Sequence, residues 1–158
     1  MIKIIPDVLT DDLCIEIVDE LDKISSNCFI IPKNDKTWID TEYFLYRQLL
    51  IAINDYEKKR ETPLFLSHFK ICKIEQNAHS EIKNFSPFRE INSHNVLTFI
   101  FFLTSDDDSF LEIFDEKIPF QQGALVIFPD DIQYIYNIIC KRNNFIIMGQ
   151  LVDNISTK

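Results

Sequence analysis

The sequence predicts an α+β domain in which two helices lead into a barrel or sandwich of about seven short strands. Three observations carry this. Apolar residues recur at helical spacing in two blocks confined to the first sixty positions. Beyond residue 64 they gather instead in short β-branched and aromatic runs, cut by Pro, Asn and Asp clusters. The chain has 158 residues, 46% of them apolar and 14 of them Phe, which suits one domain with one sizeable core.

Residues 1–5 read as a short strand stopped by Pro6. Thr10 is a natural N-cap, and Asp11 and Asp12 suit the positive end of a helix dipole. Leu13, Ile17, Leu21 and Ile24 then mark one face of a first helix. A connector over 25–36 holds a strand at 28–31. A second helix is expected over 40–59, with Leu45, Leu49, Ile53 and Tyr56 as its stripe and Thr62-Pro63 as its stop. An imperfectly alternating strand follows over 65–75, then a polar loop over 78–93 containing Pro87. The run 96–103 reads as a strand buried on both faces. Asp106, Asp107 and Asp108 read as a turn, 109–114 as a strand and 115–117 as another turn. Gly123 opens a strand at 124–128, Pro129 ends it, and strands over 133–139 and 145–152 complete the domain. The mainly helical part is 1–60, the strand part is 64–152, and 153–158 reads as a fraying tail.

Charge and cysteine usage narrow the setting. The formal net charge is -9, which disfavours bare nucleic acid and anionic membranes as partners. The cluster Lys58-Lys59-Arg60, flanked by Glu57 and Glu61, reads as a solvated helix end. Cysteines 14, 28, 72 and 140 form no CxxC or CxxH unit, so a zinc knuckle or thioredoxin-like motif is not expected. Apolar neighbours predict buried thiols at Cys14, Cys72 and Cys140, in a reducing compartment. Acidic residues at 7, 11, 12, 16, 19, 20 and 22 are wrong for a secretory leader, and the apolar run 99–103 is too short to span a bilayer. A cytoplasmic location is expected. The richness in Ile, Asn, Lys and Phe hints at an AT-rich genome and hence a viral origin, with a host-cell or virion location in that case.

The order and spacing of these pieces resemble one family. Residues 5–14 look like its lead into a first helix, 95–103 like its central strand, and Gly123-Ala124-Leu125-Val126-Ile127-Phe128-Pro129 like the glycine turn and Phe-Pro strand that precede its distal metal ligand. The chain resembles the prolyl-4-hydroxylase-like branch of the 2-oxoglutarate and iron oxygenases, over most of its length. That resemblance implies a double-stranded β-helix core, of the jelly-roll or cupin kind, with two N-terminal helices packed against it.

The family holds Fe(II) on a His-x-Asp/Glu pair and a distal His, leaving positions open for 2-oxoglutarate and oxygen. The pair it would find here is His79-Ser80-Glu81, with Glu where Asp is usual. The distal position falls on Gln133, or on Tyr134 with a slip of one. The only histidines are His68, His79 and His94, so no imidazole follows residue 94. Asp130 or Asp131 is a substitute carboxylate. The basic residue that would bind the co-substrate is sought at Lys141 or Arg142, although the register favours Asn143 at that slot.

These departures describe a degenerate member of that branch. The expected function is a non-catalytic, oxygenase-like domain acting as a protein-binding or structural module, without a cofactor. The resemblance also covers viral proteins that use such degenerate folds in structural or host-binding roles. Trp38, Tyr43, Phe44 and Tyr46, near the start of the second helix, and Phe85 and Phe88, in the polar loop, are candidates for an interface with a protein partner or a second copy. Two other readings stand beside it: a divergent dioxygenase using Fe(II), 2-oxoglutarate, His79, Glu81 and an unusual third ligand, and a metal-free cupin-like ligand binder. No rival catalytic motif is present. Gly123 and Gly149 are the only glycines, which excludes a phosphate-cradling loop and a Gly-x-Ser-x-Gly elbow, and 106–108 lacks a calcium-loop pattern.

Overall fold

The computed structural model describes residues 2–24, 26–60, 63–76, 79–81, 95–113, 115–130 and 136–153. In chain order its elements are β1 (Lys3–Ile5), α1 (Asp11–Asp22), β2 (Cys28–Ile30), α2 (Ile39–Glu57), β3 (Phe65–Leu66), β4 (Lys70–Ile74), β5 (His79–Glu81), β6 (Asn95–Phe102), β7 (Asp106–Ile113), β8 (Glu116–Phe120), β9 (Leu125–Pro129), β10 (Tyr136–Ile139) and β11 (Asn144–Val152).

The helices form where local signals place them. Thr10 Oγ1 accepts the Leu13 amide at 3.2 Å, capping α1, and Cys14, Ile17 and Leu21 are its buried stripe. Full burial of Ile17 and of Leu21 contributes roughly 1.5–3 kcal/mol each. α2 has no side-chain cap and is held by its buried face, Leu45, Leu49, Ala52 and Ile53.

The strands make two antiparallel sheets. The larger runs β1-β9-β6-β11-β4-β2, with β3 beside the end of β11, and the smaller runs β5-β10-β7-β8. From β4 onward the chain crosses repeatedly between them: β4, β6, β9 and β11 lie in the larger sheet, and β5, β7, β8 and β10 in the smaller. This alternation of four strands with four is the double-stranded β-helix, and the two helices cover the outer face of the larger sheet.

That arrangement explains the continuous apolar runs. Every residue of β11 is buried. Phe145, Ile147 and Leu151 face the helices, whereas Ile146 and Met148 face the smaller sheet. β6 divides in the same way, with Leu97, Phe99 and Phe101 toward the helices and Ile100 and Phe102 between the sheets. A period of two with both faces covered leaves few polar positions, Thr98, Asn144 and Gln150 among them. Gly149 permits the closest approach: a Cβ there would lie 2.2 Å from the His68 carbonyl oxygen. Gly123 turns the chain into β9 at φ +87, and its carbonyl accepts the Val8 and Leu9 amides at 2.8 and 3.0 Å.

Nine strands follow α2 among the described residues, against about seven expected. β5 lies in a segment read as loop. β7 begins at Asp106, where a turn was expected. β8 occupies a stretch read as turn because Glu116, Lys117 and Pro119 obscure its alternation. It is an edge strand, where proline and charge are tolerated. No helix among the described residues is long and apolar enough to cross a membrane.

Candidate functional site

The ladder between β5 and β10 is where the sequence sets its first metal candidates. His79 pairs with Ile139, Ser80 with Ile138 and Glu81 with Asn137. Along β10, Tyr136 and Ile138 are buried in the inter-sheet core, and Asn137 and Ile139 alternate with them as half-buried positions. Directly opposed residues of an antiparallel pair share a face. Asn137 and Ile139 therefore share a face with Glu112 and Phe110 of β7, and Ile138 shares the core face with Leu111. Gln133, Tyr134 and Asp131 lie outside the described residues. Asp130 is half-buried, and its amide donates to the Val96 carbonyl at 3.0 Å. Among the described residues, no group of three or more His, Cys, Asp or Glu side chains is placed to hold a metal ion.

Lys141 and Arg142 belong to a different arrangement, just beyond the C-terminal end of β10. The Lys141 amide donates to Ser109 Oγ at 2.9 Å. The Arg142 guanidinium pairs with Asp106 Oδ1 at 2.5 Å and Asp108 Oδ2 at 3.4 Å. The Asp106 side chain is only 1% exposed, while that of Arg142 is 65% exposed. Asp106 also accepts from the Ser109 hydroxyl, from Asn144 Nδ2 at 3.0 Å and from the Asp108 amide at 3.0 Å. Burial alone would raise the Asp106 pKa, but the hydrogen bonds from Ser109, Asn144 and the Asp108 amide, with the Arg142 charge, hold it down at about 2. Sequence reasoning took Asp106 for a turn residue. The structure makes it the buried anchor of a bulged strand start, with a register shift between Asp106 and Phe110 against β8. The spacing of Asp106 and Ser109 was a legible hint, but Asn144 joins them only through the sheet.

Among the described residues, no donor set fits the iron and co-substrate that the resemblance implies. The inter-sheet face of β11 carries Asn144, Ile146, Met148 and Gln150, all neutral, and the nearby guanidinium of Arg142 is engaged by two carboxylates. The space between the sheets is occupied by apolar side chains, among them Phe102, Leu111, Phe120, Phe128, Tyr136 and Met148.

The aromatic candidates separate cleanly. Trp38 is 5% exposed, sits in the helix-side core and packs on Phe29 with ring centroids 5.5 Å apart. Phe44 and Tyr46 are partly buried against the same core. Tyr43 is 63% exposed, with the Arg47 guanidinium 5.9 Å from its ring centre. Ile39 and Ile51 are also exposed on α2, and the sequence reading did not single them out. Phe85 and Phe88 lie outside the described residues. Cys14, Cys72 and Cys140 are buried as expected, and burial pushes the thiols of Cys14 and Cys140 up to about 11.

With this geometry in place, the class of the fold is clear from solved structures. A viral collagen prolyl hydroxylase from Paramecium Bursaria Chlorella virus-1 superposes with a TM-score of 0.76 at 8% identity, covering 97% of this chain and 90% of that one. A Pseudomonas putida prolyl-4-hydroxylase gives 0.68 at 11% identity, covering 97% and 92%. A Trichoplax adhaerens prolyl hydroxylase, solved with a hypoxia inducible factor oxygen degradation domain peptide fragment, gives 0.72 at 10% identity, covering 96% and 83%. The chain has the double-stranded β-helix fold of the prolyl hydroxylases. No protein-family model and no curated protein sequence matches it.

Proposed function

We propose that this protein is a non-catalytic domain on the prolyl-hydroxylase fold that acts by binding another protein or a second copy of itself. The observation that carries this reading is the space between the sheets, which Phe102, Leu111, Phe120, Phe128, Tyr136 and Met148 fill with apolar side chains. The sequence supports it independently, since no histidine follows residue 94 to complete a two-histidine, one-carboxylate site. Arg142 supports it as well, because Asp106 and Asp108 already neutralise it.

The binding part of the proposal rests on the outer side of α2. Ile39, Tyr43 and Ile51 are large apolar residues left exposed on one helix, with Arg47 beside the Tyr43 ring. Exposed tyrosine and arginine with flanking isoleucines match the composition of protein interfaces. Four free thiols fit a reducing location such as the cytoplasm of a cell or, for a viral protein, its host.

Anaerobic titration of the purified chain with Fe(II), with and without 2-oxoglutarate, tests the non-catalytic reading. Calorimetry is expected to give no binding heat, and the visible charge-transfer band is expected to be absent, up to about 1 mM. Micromolar iron affinity together with that band would overturn the proposal in favour of a divergent dioxygenase, and His79, Glu81 and Gln133 would then be substituted in turn.

A further inference from the structure

Cys28 and Cys72 are 44 residues apart in sequence and directly opposed on the β2–β4 ladder. Their sulfurs are 3.4 Å apart. The flanking bonds, Lys73 N to Asn27 O at 2.7 Å and Ile31 N to Phe69 O at 2.9 Å, mark the pairs on either side as hydrogen-bonded. By alternation the Cys28–Cys72 pair is non-hydrogen-bonded, the kind in which opposed Cα atoms approach to roughly 4.5 Å. That separation lies at the short end of the range a disulfide spans, so side-chain rotation alone can close the sulfurs to bonding distance.

The two thiols are not equivalent. Cys28 lies on the edge strand β2 and is half-buried, whereas Cys72 is fully buried on β4. Lys70, two residues before Cys72 and on the same face of β4, places a buried cation beside the pair. The hydrogen bond with Cys72 is the largest influence on Cys28, and with the Lys70 charge it outweighs burial and brings the Cys28 pKa down to about 6. The same pairing raises Cys72, which therefore holds its proton while Cys28 gives one up. Cys72 and Lys70 are the titratable groups acting on Cys28, and both belong to β4.

We propose that Cys28 and Cys72 form a peroxide-reactive dithiol, with Cys28 as the attacking sulfur and Cys72 as the resolving one. In the first step the Cys28 thiolate attacks one oxygen of a hydroperoxide. The S–O bond forms as the O–O bond breaks, and the departing alkoxide or hydroxide takes a proton from solvent. In the second step the Cys72 sulfur loses its proton and displaces hydroxide from the Cys28 sulfenic acid, forming the S–S bond and releasing water. Two thiols are oxidised by two electrons, and one hydroperoxide is reduced to an alcohol and water, or to two waters when it is hydrogen peroxide. Two equivalents of a small thiol reverse the link by exchange. The product staples edge strand β2 to β4. Nothing in this step draws on the proposed binding role of α2.

The test uses the full reduced chain and hydrogen peroxide, with a small-molecule thiol present as an internal clock. Two of the four thiols are expected to disappear, with a mass loss of two hydrogens and a mapped Cys28–Cys72 link. Their loss should be about tenfold faster than that of the small thiol at neutral pH. In Cys72→Ser, a 1,3-diketone probe should trap a sulfenic acid on Cys28. In the unmodified chain, which needs no variant to fold, alkylation of Cys28 should be half-maximal near pH 6. Persistence of all four thiols while the small thiol is consumed would overturn the proposal. A link between other cysteines, or a Cys28 alkylation midpoint near the ordinary thiol value, would do the same.

Discussion

Two polar regions of this molecule differ in what their residues are engaged with. At the start of β7, Asp106 is buried and accepts from Ser109, Asn144 and the Asp108 amide while pairing with Arg142. On the β5–β10 ladder, the described partners of positions 79 and 81 are Ile139 and Asn137, neither of which carries a charge. The first region is a saturated network that pins strand starts in both sheets. The second lies at an edge of the smaller sheet. The chain thus places the buried charge of Asp106 where it ties the starts of β7 and β11 together.

This contrast can be broken by substitution, most severely at its centre. Asp106→Ala leaves Asn144 and Ser109 without their buried acceptor and is expected to cost about 3 kcal/mol in urea unfolding. A loss below about 1 kcal/mol would mean that water replaces the carboxylate and that the corner is not an anchor.

Acid should expose the same anchor without mutation. The folded Asp106 pKa is held at about 2, below its ordinary 3.8, so the unfolded chain binds more protons between these values. The Asp106 contribution is therefore complete above roughly pH 4 and is lost as pH falls through about 2. The difference in stability between the parent chain and Asp106→Asn should shrink over that window. A difference that stays constant would contradict the depressed value.

Arg142→Ala should be milder, about 0.5–1 kcal/mol, because its guanidinium is largely exposed and water screens the pair. A cost equal to that of Asp106→Ala would show the pair acting as one unit. Smallest of all, His79→Ala and Glu81→Ala should each change stability by less than about 0.5 kcal/mol. Neither should alter the response of thermal unfolding to Fe(II). A metal-dependent rise in melting temperature that either variant removes would reverse the comparison and give the β5 ladder a chemical role.

Much of the fold was legible in short stretches. Thr10 with Asp11 and Asp12, the stripes through Ile17 and Leu49, and the dense runs of β6 and β9 are signals contained within one element. Their order led to the double-stranded β-helix. β8 was missed because an edge strand with one dry face need not alternate clearly, and β5 because three residues carry too little pattern. The candidate site was legible only as an absence, the lack of any histidine after residue 94.

By itself, then, the sequence determined where helices and buried strands form and that an imidazole-based distal ligand is missing. Both follow from residue identity and local period. Tertiary structure decided the rest: the burial of Asp106, the packing of Trp38 in the core, the pairing of β5 with β10, and the meeting of Cys28 with Cys72. Each depends on the pairing register between strands distant in sequence. A slip of one residue would turn every side chain to the other face, so the register is set by which set of faces can be buried together. No single stretch of sequence contains that choice.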